Sequence, residues 1–295
     1  MNESNHRVAA VVLAYSRYEL LQQLIAALRA QTHRPDEIIV INQGSRADIA
    51  EWLAAQTDLT IVRQENKGSA GGFCTGIEES LRRGHAWTWI FDDDGIPEPT
   101  ALEKLVRNPY FGRPDTVFMA SRVVDRHGTT YMSPPAADAN RWYGTVLQDH
   151  CVEVTRACWL GLMVSSDAVR KFGLPIAEFF LFEEDLELTE RLVRGGKAYC
   201  AINSVIVHYQ EPVFDPFGNP VEVRPCTYNV GTGLTLPGDN PETPDVDESL
   251  SDPRFTFDLY FTDTNEFLDP DCSPDPTNLD CHPHTDDANN DPNPN

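Results

Sequence analysis

Three acidic residues in a row, Asp92-Asp93-Asp94, directly follow the apolar run of residues 86–91 (AWTWIF). Alternate residues of an extended segment point the same way, so Asp92 and Asp94 can face a common target. Two carboxylates that face one point repel each other unless a cation lies between them, and hard oxygen ligands suit Mg²⁺ or Mn²⁺. The pattern also fits a solvated acidic turn that caps a helix. The position straight after Trp-Ile-Phe favours the metal site.

A second candidate is the segment of residues 66–72 (NKGSAGG), which follows a predicted strand and opens a predicted helix. Glycines let the backbone approach a ligand closely, and the N–H groups at a helix start favour anions. The segment is not a P-loop because no Gly-Lys-Ser/Thr ends it. The first strand is not followed by a GxGxxG motif either, which disfavours a dinucleotide oxidoreductase. A glycine-rich turn is weak evidence by itself, so a structural role stays open.

Two further features gain weight only if they lie near the aspartates. Residues 183–188 (EEDLEL) open a predicted helix, where acids are ordinary partners of the helix dipole. A carboxylate of this group that points into a cleft would serve as a general base. His208 ends an apolar strand, and a structural role is the alternative for it as well.

The elements that must position these residues alternate in their hydrophobic period. Apolar runs predict strands, and apolar residues spaced by three and four predict helices. Up to residue 91 the pattern predicts strands at 8–15, 37–41, 59–63 and 86–91, and helices at 19–30, 46–55 and 71–83. This alternation predicts an α/β fold with a parallel sheet, whose ligand sites lie at the carboxyl ends of the strands.

Beyond residue 116 the pattern becomes mixed. It predicts strands at 117–124, 152–165 and 198–208, and helices at 166–172 and 183–194. From residue 211 onward the chain holds 14 of its 22 prolines and 19 of its 46 acidic residues, but only 2 of its 23 basic ones. We therefore divide the chain into an α/β domain of residues 1–210 and an acidic, Pro- and Asp-rich tail of residues 211–295 that is largely extended or disordered.

Composition excludes several classes of protein. With a formal net charge of −23, the chain has no basic footprint, and we expect no nucleic-acid partner. No apolar run approaches the about 20 residues that span a bilayer, so we expect no transmembrane segment. Seven cysteines without a CxxC pair, and a start without an apolar secretory region, suit a cytoplasmic protein, with peripheral association at the inner face of the membrane as an open extension. The isolated segment at residues 281–284 (CHPH) has no second cluster to complete a metal site.

Seven motifs carry a resemblance to a known family. They are VVLAYSR, IIVINQGS, ENKGSAGGF, IFDDDGIP, WLG, FEEDLELTERL and VIVHY, spread over residues 7–210. In this order they resemble the family-2 glycosyltransferases of the GT-A fold, closest to the branch of galactofuranosyl- and rhamnosyltransferases. The 23-residue step from Asp185 to His208 is similar to that branch too. The resemblance implies a Rossmann-like, mixed but mostly parallel sheet flanked by helices.

The resemblance also implies roles for individual residues. Asp92, Asp94 and His208 would hold Mn²⁺ or Mg²⁺, and Asp185 would be the catalytic base with Glu184 beside it. The residues that would contact the nucleotide-diphospho-sugar are Ala14, Tyr15, Asn42, Asn66, Gly71, Gly72, Asp93 and Trp159.

The chain departs from the family pattern in two places. Asn42 stands where relatives usually carry an aspartate that contacts the nucleotide, so a hydrogen bond remains but the charge is lost. The acidic tail stands where relatives usually continue into helical, often basic and aromatic segments that help to hold acceptor or membrane.

The implied reaction is the inverting, metal-dependent transfer of a hexosyl group, galactofuranose or rhamnose, from a UDP- or dTDP-sugar to a hydroxyl group. The acceptor would be a glycan or lipid-linked molecule of the cell envelope. Two alternatives stay open: an inactive binding protein of the GT-A fold, and a nucleotidyltransferase that makes the sugar nucleotide. The second is disfavoured because AYSRYELL stands where a glycine-rich, basic triphosphate loop is needed.

Overall fold

A computed structural model describes residues 6–44, 46–138, 140–209, 213–214 and 220–221, all within a compact unit that ends at Glu222. Its main strands are β1 (Val8–Ala14), β2 (Glu37–Asn42), β3 (Leu59–Arg63), β4 (Trp87–Phe91), β5 (Gly95–Pro97), β6 (Thr116–Val124), β7 (Cys151–Val154), β8 (Leu162–Ser165) and β9 (Lys197–His208). The helices are α1 (Tyr18–Arg29), α2 (Ala47–Ala54), α3 (Gly68–Arg82), α4 (Ala101–Val106), α5 (Trp142–Asp149), α6 (Ser166–Phe172) and α7 (Glu184–Val193).

The tail predicted at residues 211–295 lies outside the described residues, apart from a pair of two-residue strands at Val213–Phe214 and Pro220–Val221. Among the helices of the described ranges, none combines the length and apolar character needed to cross a bilayer.

One large sheet organises the domain, with the strand order β3-β2-β1-β4-β8-β6-β9-β5 and β7 paired to β9. The half from β3 to β4 is parallel throughout, as the alternating pattern predicts. In the other half, β8 runs antiparallel to β4 and β6, whereas β6 and β9 run parallel. The predicted α/β fold with a mixed sheet flanked by helices is therefore confirmed. The carboxyl ends of β1, β2 and β4 meet at one edge.

Helices cover both faces of the sheet because the strands are apolar on both sides. In β1, Val8 and Val12 pack into the cluster that contains α1, while Val11 and Leu13 pack into the cluster that contains α3. All four side chains are buried. Burying one such side chain stabilises the fold by about 1.5–3 kcal/mol, so the two-sided apolar run holds β1 at the centre.

The structure differs from the predicted elements mainly between residues 152 and 165. The single predicted strand is two strands, β7 and β8, which pair with different neighbours. Gly161 separates them with a φ of +69°, a left-handed conformation, and its carbonyl accepts a hydrogen bond from Trp89 Nε1 at 3.2 Å. The short elements β5, α4 and α5 were not among the predicted elements.

Candidate active site

A cavity of about 220 Å³ opens at the edge where β1, β2 and β4 end. Its lining comes from segments far apart in the chain, including Tyr15, Asn66, Gly68, Asp92 and Leu181. A larger depression of about 400 Å³ lies on the outer surface of α3, where the Glu79 carboxylate is paired with Arg82. Of these two cavities, the first is lined by four of the predicted site residues: Tyr15, Asn66, Asp92 and Asp93.

Asp92 and Asp93 line this cavity, directly after β4. Asp94 follows them, and Asp93 and Asp94 are buried. Burial raises the pKa of Asp92 well above its ordinary value, and the nearby charges of Asp94 and Asp93 add to the shift. Burial also raises the pKa of Asp93, although the Arg17 guanidinium opposes that change. The carboxyl groups of the trio therefore disfavour one another's charge, and a cation between them would relieve that repulsion.

His208 reaches the trio because β5 pairs with the end of β9. Gly95 lies opposite His208 in the antiparallel register, and Tyr209 N donates to the Asp94 carbonyl at 2.8 Å. His208 Nε2 then lies 3.3 Å from Asp94 Oδ2, while the Tyr131 hydroxyl pairs with Nδ1. Burial would raise the pKa of Asp94, but the hydrogen bond from His208 and the charge of Arg17 outweigh it and lower that pKa.

The donor groups at this point fit a divalent cation in part. Asp94 and His208 offer an oxygen and a nitrogen close together, a set that Mn²⁺ accepts. No group of three His, Cys, Asp or Glu side chains within the described ranges is arranged to hold a metal by itself, so Asp92 does not complete a protein-only shell. Mg²⁺-type sites commonly use one or two protein groups together with substrate phosphates. The residues therefore fit a metal that binds along with a phosphate ligand.

Glu184 begins α7 as a buried carboxylate that ties three segments together. Its Oε1 atom accepts hydrogen bonds from the Ser69 hydroxyl and from Trp159 Nε1, the latter at 3.2 Å. Its Oε2 atom is buried and has no hydrogen-bond partner in the described part of the chain. Glu183, just before the helix, has a φ of +64°, so the chain turns sharply before the acidic pair.

Asp185 follows Glu184 and has the properties of a general base. Burial, and next the charge of Glu184, raise the pKa of Asp185 to about 7. Its Oδ1 atom accepts a hydrogen bond from Leu186 N at 2.8 Å. The Cys158 thiol, whose pKa burial raises to about 12, is influenced by the charges of both Asp185 and Asp92. The charge of Glu184 likewise contributes to the raised pKa of Asp92, so the start of α7 lies near the aspartate trio.

A glutamine network shapes the segment before α3. Gln43 Nε2 donates to the Gly68 carbonyl at 2.9 Å, and Gln43 Oε1 accepts from Lys67 N at 3.0 Å and from Gln64 Nε2 at 2.6 Å. Asn42 is buried beside it, and its side-chain oxygen accepts from Gly44 N at 3.1 Å. Asn42 therefore supports the loop at the end of β2.

Several residues that the resemblance assigns to the donor lie behind the cavity wall. A Cβ atom on Gly72 would lie 2.4 Å from Leu13 Cδ1, and one on Gly71 would lie 2.5 Å from Lys67 Cβ, so both glycines permit close packing. Ala14 is fully buried at the end of β1, and the Trp159 ring packs on Phe73 with 4.8 Å between centroids. By contrast, Tyr15, Asn66 and Asp93 line the cavity itself.

Four residues of the site carried no role in the sequence interpretation. They are Arg17, Gln43, Ser69 and Tyr131. The first three lie within the motifs AYSR, INQGS and KGSAGG, so proximity to the motifs was a usable signal. Tyr131 lies in a stretch without any motif, and its pairing with His208 depends on the tertiary fold.

Comparisons with known proteins agree with this arrangement. The model of the family "Glycosyl transferase family 2" matches residues 9–164. A galactofuranosyltransferase GlfT1 of Mycolicibacterium smegmatis is 28% identical over 204 residues, which cover 64% of this chain and 66% of the relative. The GlfT1 of Mycobacterium tuberculosis is 25% identical over 201 residues, with 64% and 65% covered. The alignments thus span slightly less than two thirds of these relatives.

A solved structure, GalNAc-T7 with UDP, GalNAc and Mn²⁺, is similar with a TM-score of 0.59 and 12% identity. The match covers 71% of this chain and 45% of that chain, and at this identity it supports the GT-A-like fold alone. The family match covers more than half of the 295 residues and includes the strands that build the cavity edge. The chain belongs to glycosyl transferase family 2.

Proposed function

We propose that this protein transfers a hexosyl group, with inversion, from a nucleotide-diphospho-sugar to a hydroxyl group of a glycan or lipid-linked acceptor. The observation that carries the proposal is that two acidic groups lie near each other, since the charge of Glu184 contributes to the raised pKa of Asp92. The aspartate trio with His208 supplies a cation site, and the start of α7 supplies a carboxylate with a pKa of about 7. An in-line displacement needs these functions at opposite ends of the reacting bond.

Asp185 is the general base in this proposal. Its carboxylate takes the proton of the acceptor hydroxyl while that oxygen forms a bond to the anomeric carbon. The bond between the anomeric carbon and the diphosphate oxygen breaks, and the nucleoside diphosphate leaves with the electron pair. A pKa of about 7 leaves a substantial ionised fraction near neutral pH and gives the carboxylate useful basicity.

Asp94 and His208 are the residues that would hold Mn²⁺ or Mg²⁺, and a bound cation would favour the charged form of the neighbouring Asp92. The metal would neutralise the charge that develops on the departing diphosphate. The nucleotide would lie in the cavity beside Tyr15 and Asn66, and Asp93 would face its ribose. Tyr131 keeps the His208 ring oriented, as partners of metal-binding histidines do.

Galactofuranose from UDP-galactofuranose is the first donor to test. Two relatives are named galactofuranosyltransferases, and each alignment covers 64% of this chain. Rhamnose from a dTDP-sugar is the second candidate because the sequence motifs resemble both branches. A protein of the inner face of the cell membrane that extends a cell-envelope glycan fits either donor.

A thermal-shift screen with UDP-, dTDP- and GDP-sugars, each with and without Mn²⁺, tests the donor class. A ligand present at about 100 times its Kd stabilises the folded protein by about 2.7 kcal/mol, which such a screen detects. We expect stabilisation by one nucleotide class only when Mn²⁺ is present, and sugar transfer from that donor to a glycan acceptor. Donor binding without transfer would favour the inactive binding protein, and pyrophosphate release from a nucleoside triphosphate would favour the nucleotidyltransferase.

A further inference from the structure

Arg17 places a fixed positive charge inside the aspartate trio. Its Nη1 atom lies 2.8 Å from Asp93 Oδ1 and 3.1 Å from Asp94 Oδ2. The residue lies between the end of β1 and the start of α1, so its backbone is anchored at the cavity edge. Its side chain is 38% exposed and lines the cavity, whereas the two carboxylates are nearly buried.

This geometry gives one oxygen atom of Asp94 two partners. The Asp94 Oδ2 atom that approaches His208 is the same atom that approaches Arg17. A divalent cation bound by Asp94 and His208 would therefore meet a guanidinium beside it, and like charges at such distances repel. Phosphate oxygens are an alternative partner for Arg17, because a guanidinium binds them through paired hydrogen bonds.

We propose that Arg17 is a positioning residue that makes metal binding depend on the donor. In the free protein the guanidinium holds Asp93 and Asp94 and opposes a metal. When a nucleoside diphosphate enters the cavity, Arg17 exchanges these carboxylates for phosphate oxygens and releases Asp94. The inference rests on the proposed function, since it assigns this role toward the donor's diphosphate.

A titration of the full chain with Mn²⁺ alone at pH 8, monitored by electron paramagnetic resonance, tests this proposal. Arg17→Gln is expected to bind Mn²⁺ about tenfold more tightly than the wild type, because one neighbouring positive charge is removed. Arg17→Lys keeps the charge and is expected to stay within about threefold of the wild type. Arg29→Gln is the matched control, since Arg29 is 35% exposed and pairs with Asp58 far from the site.

The same titration in the presence of UDP completes the test. UDP is expected to tighten Mn²⁺ binding more in the wild type than in Arg17→Gln, because coupling between two ligands is lost when the residue that links them is removed. Equal or weaker Mn²⁺ affinity in Arg17→Gln would overturn the proposal. If that variant does not fold, equal Mn²⁺ affinity of the wild type with and without UDP would overturn it instead. Sugar transfer by the wild type is measured separately, so the proposed function and the role of Arg17 can fail independently.

Discussion

At the scale of single residues, burial and neighbouring charges shift the pKa values of the carboxyl groups at the candidate site. Asp185 has a pKa of about 7 because burial and the neighbouring Glu184 disfavour its charged form. Asp94 behaves in the opposite way, because His208 and Arg17 stabilise its charge and lower its pKa. In the proposed reaction, these opposite shifts suit Asp185 to take up a proton and Asp94 to remain charged.

The raised pKa of Asp185 predicts the pH dependence of turnover. The base must be ionised, so the wild-type kcat should decline as the pH falls below about 7, by about tenfold per pH unit once the carboxyl is mostly protonated. A kcat profile measured from pH 5 to 9 at saturating donor and Mn²⁺ checks this. A profile that stays flat down to pH 5 would show that no group with this pKa limits the reaction.

Trp159 is expected to matter through one hydrogen bond. Trp159→Phe keeps an aromatic ring against Phe73 but removes the Nε1–H that donates to Glu184. Because a buried carboxylate then loses a partner, the free energy of unfolding should fall by about 1–3 kcal/mol in urea titrations. Trp142→Phe is the control, since Trp142 is 42% exposed, and it should change by less than about 0.5 kcal/mol. Equal stability of the two variants would show that the hydrogen bond from Trp159 to Glu184 does not stabilise the fold.

The candidate residues could be selected from the sequence by type and position, whereas their partners could not. Asp94 and His208 drew attention by type and by position at strand ends, and the structure brings them within 3.3 Å. Arg17 and Tyr131 complete that pair, but a side chain's partner across 76 or 77 positions is set by tertiary packing. The local pattern of apolar residues in the sequence does not indicate such a contact.

At the scale of elements, the junction between the glycine-rich segment and the loop before α7 forms the cavity wall. Gly68 has a φ of +68°, and Ala70 N donates to the Phe180 carbonyl at 3.1 Å. Phe180, Phe182 and Glu183 all have positive φ values, a conformation that costs about 1–3 kcal/mol for each non-glycine residue. This strain is concentrated in the segment that leads directly to Asp185.

Gly68 therefore offers a test of the wall. A Cβ atom at position 68 would lie 1.8 Å from the Phe180 carbonyl oxygen, whereas one at Gly84, with a φ of +77°, would meet nothing within 4 Å. Gly84→Ala should lower the free energy of unfolding by only about 1–2 kcal/mol, the cost of placing an alanine in the left-handed conformation. Gly68→Ala should lose at least about 2 kcal/mol more and raise the donor KM. Denaturant titration and steady-state kinetics measure both effects, and equal losses in the two variants would contradict the close contact.

The elements themselves were predictable where the apolar period was long. The strands and helices up to residue 91 follow the predicted pattern because two-sided apolar runs alternate with amphipathic helices. The break between β7 and β8 was not predictable, because residues 152–165 contain apolar residues on both sides of Gly161. Its turn arises from the left-handed backbone at that glycine and from pairing with different strands.

At the scale of the whole molecule, the charge distribution defines the electrostatic problem of the site. The chain has a formal net charge of −23 and is expected to bind an anionic nucleotide-diphospho-sugar. A protein field of this sign does not attract a diphosphate by itself. Local cations must therefore supply the attraction. In the proposal these cations are Arg17 and the metal ion that Asp94 and His208 would hold.

The central claim is that Asp185 acts as the general base of sugar transfer and is not needed for donor binding. The most direct measurement compares Asp185→Asn with the wild type in two ways, by turnover with UDP-galactofuranose and by calorimetric donor affinity in the presence of Mn²⁺. Asp167→Asn, an exposed residue of α6, is the control. We predict that Asp185→Asn lowers turnover by at least about 10²-fold and leaves donor affinity within about threefold of the wild type. A near-normal rate in Asp185→Asn would contradict the account.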